Sequence, residues 1–225
     1  MVLVVKLGGH LLNKDNTLCV QEYVDILYNL MQSEPTHLVI GGGPIARLYI
    51  QEGRKVGLTE AHLDQLAIEV TWLNALLFQY ALSMKGVHSK LTKTFSEMID
   101  AVNDNRIIIA GGLMPGQSTT AVATLLSELT RSRLLIYATD VDGIYTKDPK
   151  KHSDAELLKS VTIDDLIRIM EEERAEAGTY KLFDPPSLKI IKRSKLTVRV
   201  VNGTEPENIT RAAKGEDIGT VIISR

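Results

Sequence analysis

Cysteine is almost absent from this chain of 225 residues, in which Cys19 stands alone. A lone thiol rules out an internal disulfide and any zinc site built from several cysteines. No base nearby in sequence would activate it, so Cys19 is expected to be core packing. Aromatic residues are scarce, 5% of the chain, with Trp72 the sole tryptophan. An excess of either charge is missing too: 26 lysines and arginines against 28 aspartates and glutamates leave a net charge of −2. No basic stripe is available to grip the backbone of a nucleic-acid polymer. No apolar run approaches the ~18 residues of a membrane span, and the opening MVLVVKLGG is too short, and too soon interrupted by lysine, for a secretory leader. A cytoplasmic chain with no membrane and no polynucleotide partner is expected.

The hydrophobic content, 44%, is enough to bury the core of one large domain or of two closely joined lobes. Short β-branched runs recur at Val2–Leu7, His37–Ile40, Arg106–Ala110, Leu134–Thr139, Leu196–Val201 and Thr220–Ile223. They are apolar at consecutive positions, as strands covered on both faces are. Between them, Leu63, Leu66, Ala67, Val70, Leu73, Leu77 and Tyr80 recur at helical spacing, and Thr119–Thr130 and Ile163–Met170 do so more briefly. Strands alternating with helices predict an α/β fold, a three-layer α/β/α sandwich around a central, mainly parallel sheet. Its ligand cleft would lie at the carboxyl ends of the strands. The breaker-rich stretch 146–154 is expected as an exposed loop, and a second, 177–186, precedes a short helix; neither suits a linker between independent domains.

Three glycine clusters each follow a strand: Gly8-Gly9, Gly41-Gly42-Gly43 and Gly111-Gly112. Glycine lets backbone N–H groups approach an anion with no Cβ in the way, and helical patterns after the second and third clusters would add the positive end of a helix dipole. Glycine is also common in plain strand-to-helix turns, but three clusters in one sheet point to phosphate binding. The stretch from Gly111 to Ser118 comes close to a P-loop, yet Gln117 stands where that motif needs lysine. No dinucleotide fingerprint follows any strand.

Phosphoryl transfer needs cations around the moving group and two substrates in line. Lys6 closes an otherwise apolar strand just before Gly8, where a lysine is costly unless it faces a ligand or counter-ion. Lys189 lies early in a short amphipathic helix, pointing into the cleft or solvated. Asp140 and Asp142 follow the strand LLIYAT, where a carboxylate can orient lysines or hold water around magnesium, although Asp142-Gly143 also suits a plain turn. Arg47 falls in the first turn of the helix after Gly43. The histidines show no metal-ligand spacing, so no protein metal site is expected.

This order of motifs resembles the amino acid kinase family: K-x-G-G at Lys6–Gly9, the GGG turn, the GG turn before a threonine-rich helix start, TDVDGIY at Thr139–Tyr145 and DPPSLKII at Asp184–Ile191. GGLMPGQSTTAVATLLSE and FDPPSLKIIKRSKLTVRVVNG are similar to the archaeal UMP kinase branch of that family. The resemblance covers essentially the whole chain. It implies one amino acid kinase domain over 1–225, with an acceptor lobe at about 1–133 and an ATP lobe at about 134–225. The implied activity is transfer of phosphate from ATP, with Mg2+, to UMP. The implied ATP contacts are Gly9, His10, Gly43, Arg47, Thr139, Tyr145 and Asp148. UMP would lie against Gly42, Asp64 and the turn of Gly112, Leu113, Met114, Pro115, Gly116, Gln117 and Ser118. Lys6 and Lys189 would neutralise the transferred group, oriented by Asp140 or Asp142. His10 stands where relatives often have lysine or serine, and Asp140 where this branch usually has asparagine. The resemblance also implies a homohexamer, a trimer of dimers, for which the helix over 62–80 could supply an interface. N-acetylglutamate or isopentenyl phosphate as acceptor, or a non-catalytic nucleotide binder on the same fold, are the other readings open to this sequence.

Overall fold

The apolar runs become strands because each finds cover on both faces. In the computed structural model, which describes residues 1–14, 17–147, 149, 152–174 and 182–224, the central sheet has eight strands. In chain order these are β1 (Leu3–Leu7), β4 (Thr36–Ile40), β5 (Ser89–Thr92), β6 (Ile107–Ala110), β7 (Leu134–Thr139), β10 (Ser160–Thr162), β11 (Val198–Asn202) and β12 (Thr220–Ile223). Two small ribbons complete the strands: β2 (Asn13–Lys14) with β3 (Thr17–Leu18), and β8 (Ile144–Tyr145) with β9 (Leu157–Leu158). Across the sheet the order is β10, β12, β11, β7, β1, β4, β6, β5, and every neighbouring pair is parallel except β11 with β12.

The helices are α1 (Gln21–Ser33), α2 (Gly43–Lys55), α3 (Glu60–Met84), α4 (Phe95–Asn103), α5 (Thr119–Thr130), α6 (Ile163–Arg174), α7 (Pro185–Ser194) and α8 (Glu207–Ala213), with a 3₁₀ turn at Gly9–Leu12. Alternation along β1 divides the core. Val4 faces a cluster that includes Met98 of α4, Leu126 of α5, Leu166 of α6 and Ile191 of α7. Leu3, Val5 and Leu7 face a second cluster with Leu27 of α1, Phe78 and Leu82 of α3 and Ile209 of α8. The expected three-layer, mainly parallel architecture is the observed one. Both cores draw residues from before and after position 133.

The long apolar helix runs further than its spacing predicts, over Glu60–Met84. By length and composition it could cross a bilayer, but here Ala75, Phe78 and Leu82 are wholly buried against the sheet. The edge strands β5 and β10 and the helices α1, α4 and α8 carry no run that the sequence reading picked out. An edge strand has a partner on one side only and needs no continuous apolar stretch. Cys19 corrects the expectation of core packing: it is half-buried and lines a cavity of about 410 Å³ with His10, Tyr23, Asp140 and Thr204.

Candidate active site

All three glycine turns emerge at the carboxyl ends of adjacent parallel strands, β1, β4 and β6, so the fold gathers on one rim what the sequence spreads over a hundred residues. The first two turns interlock. A Cβ added to Gly9 would sit 2.2 Å from the Gly43 nitrogen, and one added to Gly43, where φ is +66°, would sit 2.2 Å from the Gly9 carbonyl oxygen. The backbones can approach this closely only because both residues are glycine. Gly41 N–H donates to Leu7 O at 3.0 Å and Gly8 N–H to Ala138 O at 2.9 Å, so both turns start from the strand ladder.

The third turn is held by α3. Asp64 accepts the N–H of Gly116 at 2.8 Å. Thr71 Oγ1 accepts the N–H of Gly112 at 2.8 Å while its neighbour Trp72 donates Nε1–H to Gly112 O at 2.7 Å. Asn74 Nδ2 donates to Gly41 O at 2.9 Å and to Gly42 O at 3.4 Å. One helix therefore fixes the spacing of the second and third turns. Thr71, Trp72 and Asn74 were not anticipated from sequence. The available signal was two polar side chains, Thr71 and Asn74, on a helix face that is otherwise apolar.

The end of the third turn is a double cap. Ser118 caps α5 by accepting Ala121 N–H at 3.0 Å, and its own N–H donates to Asp184 at 3.4 Å. Asp184 in turn caps α7, accepting Ser187 N–H at 3.2 Å. Within the turn Gly112 is buried, Leu113 and Gln117 are half-buried, and Met114, Pro115 and Gly116 are exposed. The Gln117 Oε1 atom is buried without a hydrogen-bond partner.

Lys6 is buried, 6% exposed, with its ammonium 4.0 Å from the centroid of the Tyr137 ring on the facing residue of β7. Tyr137 meets Phe183 edge-on at 5.5 Å, in the segment that leads into α7. The ring face offers the ammonium a partial substitute for water. Lys189 lies on the exposed side of α7, on the same side of the sheet as Lys6. At the end of β7, Thr139 is buried and its hydroxyl donates to Asp140 at 3.4 Å, and Asp140 lies 3.5 Å from His10 Nε2. Asp142 accepts from Asn202 Nδ2 at 2.8 Å and from the Tyr145 hydroxyl at 3.1 Å. Burial and that hydrogen bond hold the Tyr145 phenol above its usual range. Among the described residues neither lysine forms an ion pair with Asp140 or Asp142. The structure thus brings Lys6, Gly9, His10, Gly42, Gly43, Asp64 and the 112–118 turn to one rim, leaves Arg47 exposed on α2, and pairs the two aspartates with other partners. Asp148 lies outside the described residues. No group of three or more His, Cys, Asp or Glu that could hold a metal occurs among the described residues.

A family profile described as the amino acid kinase family matches residues 1–202. A uridylate kinase of Methanobrevibacter smithii is 39% identical over 226 residues, covering all of both chains. One from Sulfurisphaera tokodaii is 38% identical over 227 residues, covering 99% of each. Among solved structures, uridylate kinase from Archaeoglobus fulgidus superposes with a TM-score of 0.86 at 35% identity, covering 99% of this chain and 100% of its own. UMP kinase from Bacillus anthracis gives a TM-score of 0.82 at 20% identity, covering 99% and 96%, a likeness of fold. The chain belongs to the amino acid kinase family.

Proposed function

We propose that this member of the amino acid kinase family transfers the γ-phosphoryl group of ATP to UMP, giving UDP and ADP. A phosphate oxygen of UMP attacks the γ-phosphorus as the bond to the β,γ-bridging oxygen breaks. The observation that carries the reading is that α3 spaces the Gly41–Gly43 and Gly112–Ser118 turns on one rim beside the buried Lys6. Two phosphate-bearing substrates bound to these turns would meet end to end, and positioning of that kind accounts for most of what a phosphotransferase contributes. Relatives that carry the name uridylate kinase along their full length support UMP as the acceptor.

In this reading ATP lies against Gly9, His10, Gly43, Arg47, Thr139, Tyr145 and Asp148. UMP lies against Gly42, Asp64 and residues 112–118. Lys6 neutralises charge on the transferred group from below, and Lys189 supplies a second cation from α7. The chain builds no metal cage among its described residues. Mg2+ would therefore be held chiefly by the nucleotide phosphates, with water bridging to Asp140 or Asp142. Residues from about 1 to 133 form the acceptor lobe, whose turns at Gly9 and Gly43 also reach ATP, and those from about 134 to 225 form the ATP lobe, in a cytoplasmic enzyme. Leu73, Leu77, Tyr80 and Met84 form an exposed apolar stripe along α3, the interface of a dimer within a hexamer.

A coupled ADP-release assay with Mg-ATP and, separately, UMP, CMP, dUMP, N-acetylglutamate and isopentenyl phosphate tests the acceptor. Turnover is expected with UMP. Turnover confined to N-acetylglutamate or isopentenyl phosphate would keep the donor side and discard the acceptor assignment, and silence on all five would return the chain to a nucleotide binder.

A further inference from the structure

The edge strand β5 ends beside the third glycine turn, since Thr92 is in register with Ala110, and the next residue, Lys93, therefore flanks Gly111. Its backbone is fixed: Lys93 N–H donates to Glu97 at 2.6 Å while Thr94 Oγ1 accepts Glu97 N–H at 3.2 Å, a reciprocal cap at the start of α4. Its side chain is exposed, and its ammonium lies 4.5 Å from the centroid of the Trp72 ring. That is the same indole whose N–H holds Gly112 O at 2.7 Å. A contact with a ring face occupies none of the ammonium's N–H donors, and no ion pair of Lys93 with a carboxylate occurs among the described residues. The result is a placed cation with free donors at the outer edge of the acceptor turn.

Which part of an acceptor meets it follows from strand order. From the middle of the sheet outward run β1 with Lys6, β4, β6 and β5. Three strand spacings, roughly 14 Å, separate Lys6's strand from the strand that leads into Lys93. The acceptor's phosphate must lie inward, where it can reach the γ-phosphoryl over Lys6, so its base extends outward toward β5.

We propose that Lys93, steadied on the Trp72 ring, donates a hydrogen bond to the carbonyl edge of the acceptor's pyrimidine and selects uracil over cytosine. Uracil presents an oxygen at C4, which an ammonium favours. Cytosine presents an amino group there, a donor facing a donor, and the charge has nothing to meet. The inference rests on UMP being the acceptor, as proposed above.

The test compares kcat/KM for UMP and CMP in the unaltered enzyme, in Lys93→Ala and in Lys93→Met, which keeps a stem on the indole without its donors. A hydrogen bond from a charged group predicts a loss of about 10- to 100-fold for UMP in both variants, with CMP unchanged and the melting temperature preserved. An unchanged UMP-to-CMP ratio in Lys93→Met would overturn the proposal. So would an equal loss for both nucleotides, which would move Lys93 to the ribose or phosphate they share. An unaltered enzyme that binds ATP but leaves UMP untouched strikes the acceptor reading first, and this inference with it. Emission from Trp72, the only tryptophan, gives an independent readout: UMP should shift it in the unaltered enzyme and shift it less in Lys93→Met.

Discussion

Asp64 on α3 and Gly116 in the third glycine turn are joined by a hydrogen bond of 2.8 Å from the glycine N–H to the carboxylate, across 52 residues of sequence. Gly116 holds φ at +77° with open space around it, so its conformation is not imposed by packing. The carboxylate is what ties this exposed tip of the turn to the helix. Asp64 therefore shapes the third glycine turn through the backbone, whatever further contact it makes with a ligand.

Removing that tie should loosen the acceptor side alone. Asp64→Ala is expected to raise KM for UMP about 10-fold or more, the scale of a hydrogen bond to a charged group, while KM for ATP stays unchanged. Steady-state kinetics with each substrate varied in turn checks the split. An equal rise for both substrates would mean that Asp64 supports the whole rim.

The interlocked turns admit no Cβ. Gly9→Ala would place a methyl carbon 2.2 Å from Gly43 N and 2.5 Å from Gly41 O, overlaps with backbone that no rotamer can relieve. Activity is expected to vanish and the melting temperature to fall. Gly57→Ala is the control. With φ at +82° and nothing within 4 Å, it should cost about 1 kcal/mol of conformational strain and leave turnover intact.

Lys6→Met keeps an unbranched stem in the buried slot over Tyr137 and deletes the charge. Transition-state charge stabilisation by one preorganised group predicts a fall in kcat of roughly 100- to 1000-fold, with thermal stability preserved. Single-turnover measurement isolates the chemical step, and an unchanged rate there would remove Lys6 from it.

His37 should impose an acid limit on stability. It is buried in β4, and Nδ1 accepts the N–H of Ile108 at 2.9 Å. Burial pushes its pKa down from the ordinary 6.5 to about 4. The unfolded chain therefore binds the proton more readily: stability is complete above pH 6.5 and falls as the pH drops toward 4, by about 3 kcal/mol over the whole span. His37→Gln, which keeps an acceptor but cannot titrate, should flatten this limb. Denaturant unfolding at pH 7 and pH 4.5 measures the difference, and identical slopes in both proteins would discard it.

The legibility of this protein followed the locality of each signal. The buried strands were readable because β1, β4, β6 and β7 are covered on both faces and must be apolar at nearly every position. Observed ends differ from expected ones by a residue or two, as at Val198–Asn202 against the expected Leu196–Val201. Edge strand β5, with sequence SKLT, gave no such run because three of its four residues are only half-buried. Lys6 was conspicuous as a charge in an apolar strand, but its aromatic neighbour was invisible because Tyr137 lies 131 positions away and meets it only through strand register.

Sequence alone determined the elements that local chemistry dictates: the apolar strands, the glycine turns where backbone has to approach backbone or anion, and the order of motifs that marks the family. Tertiary structure alone decided which of these groups share a rim. Parallel strand order sets the sequence of turns from Lys6 outward, and the side chains of α3 set the distance between them. Asp142 ended on Asn202 rather than on a lysine, and Trp72 ended between Gly112 and Lys93. Those pairings join residues far apart in the chain, and no local preference encodes them; they exist only because burying both faces of one sheet brings the strand ends together.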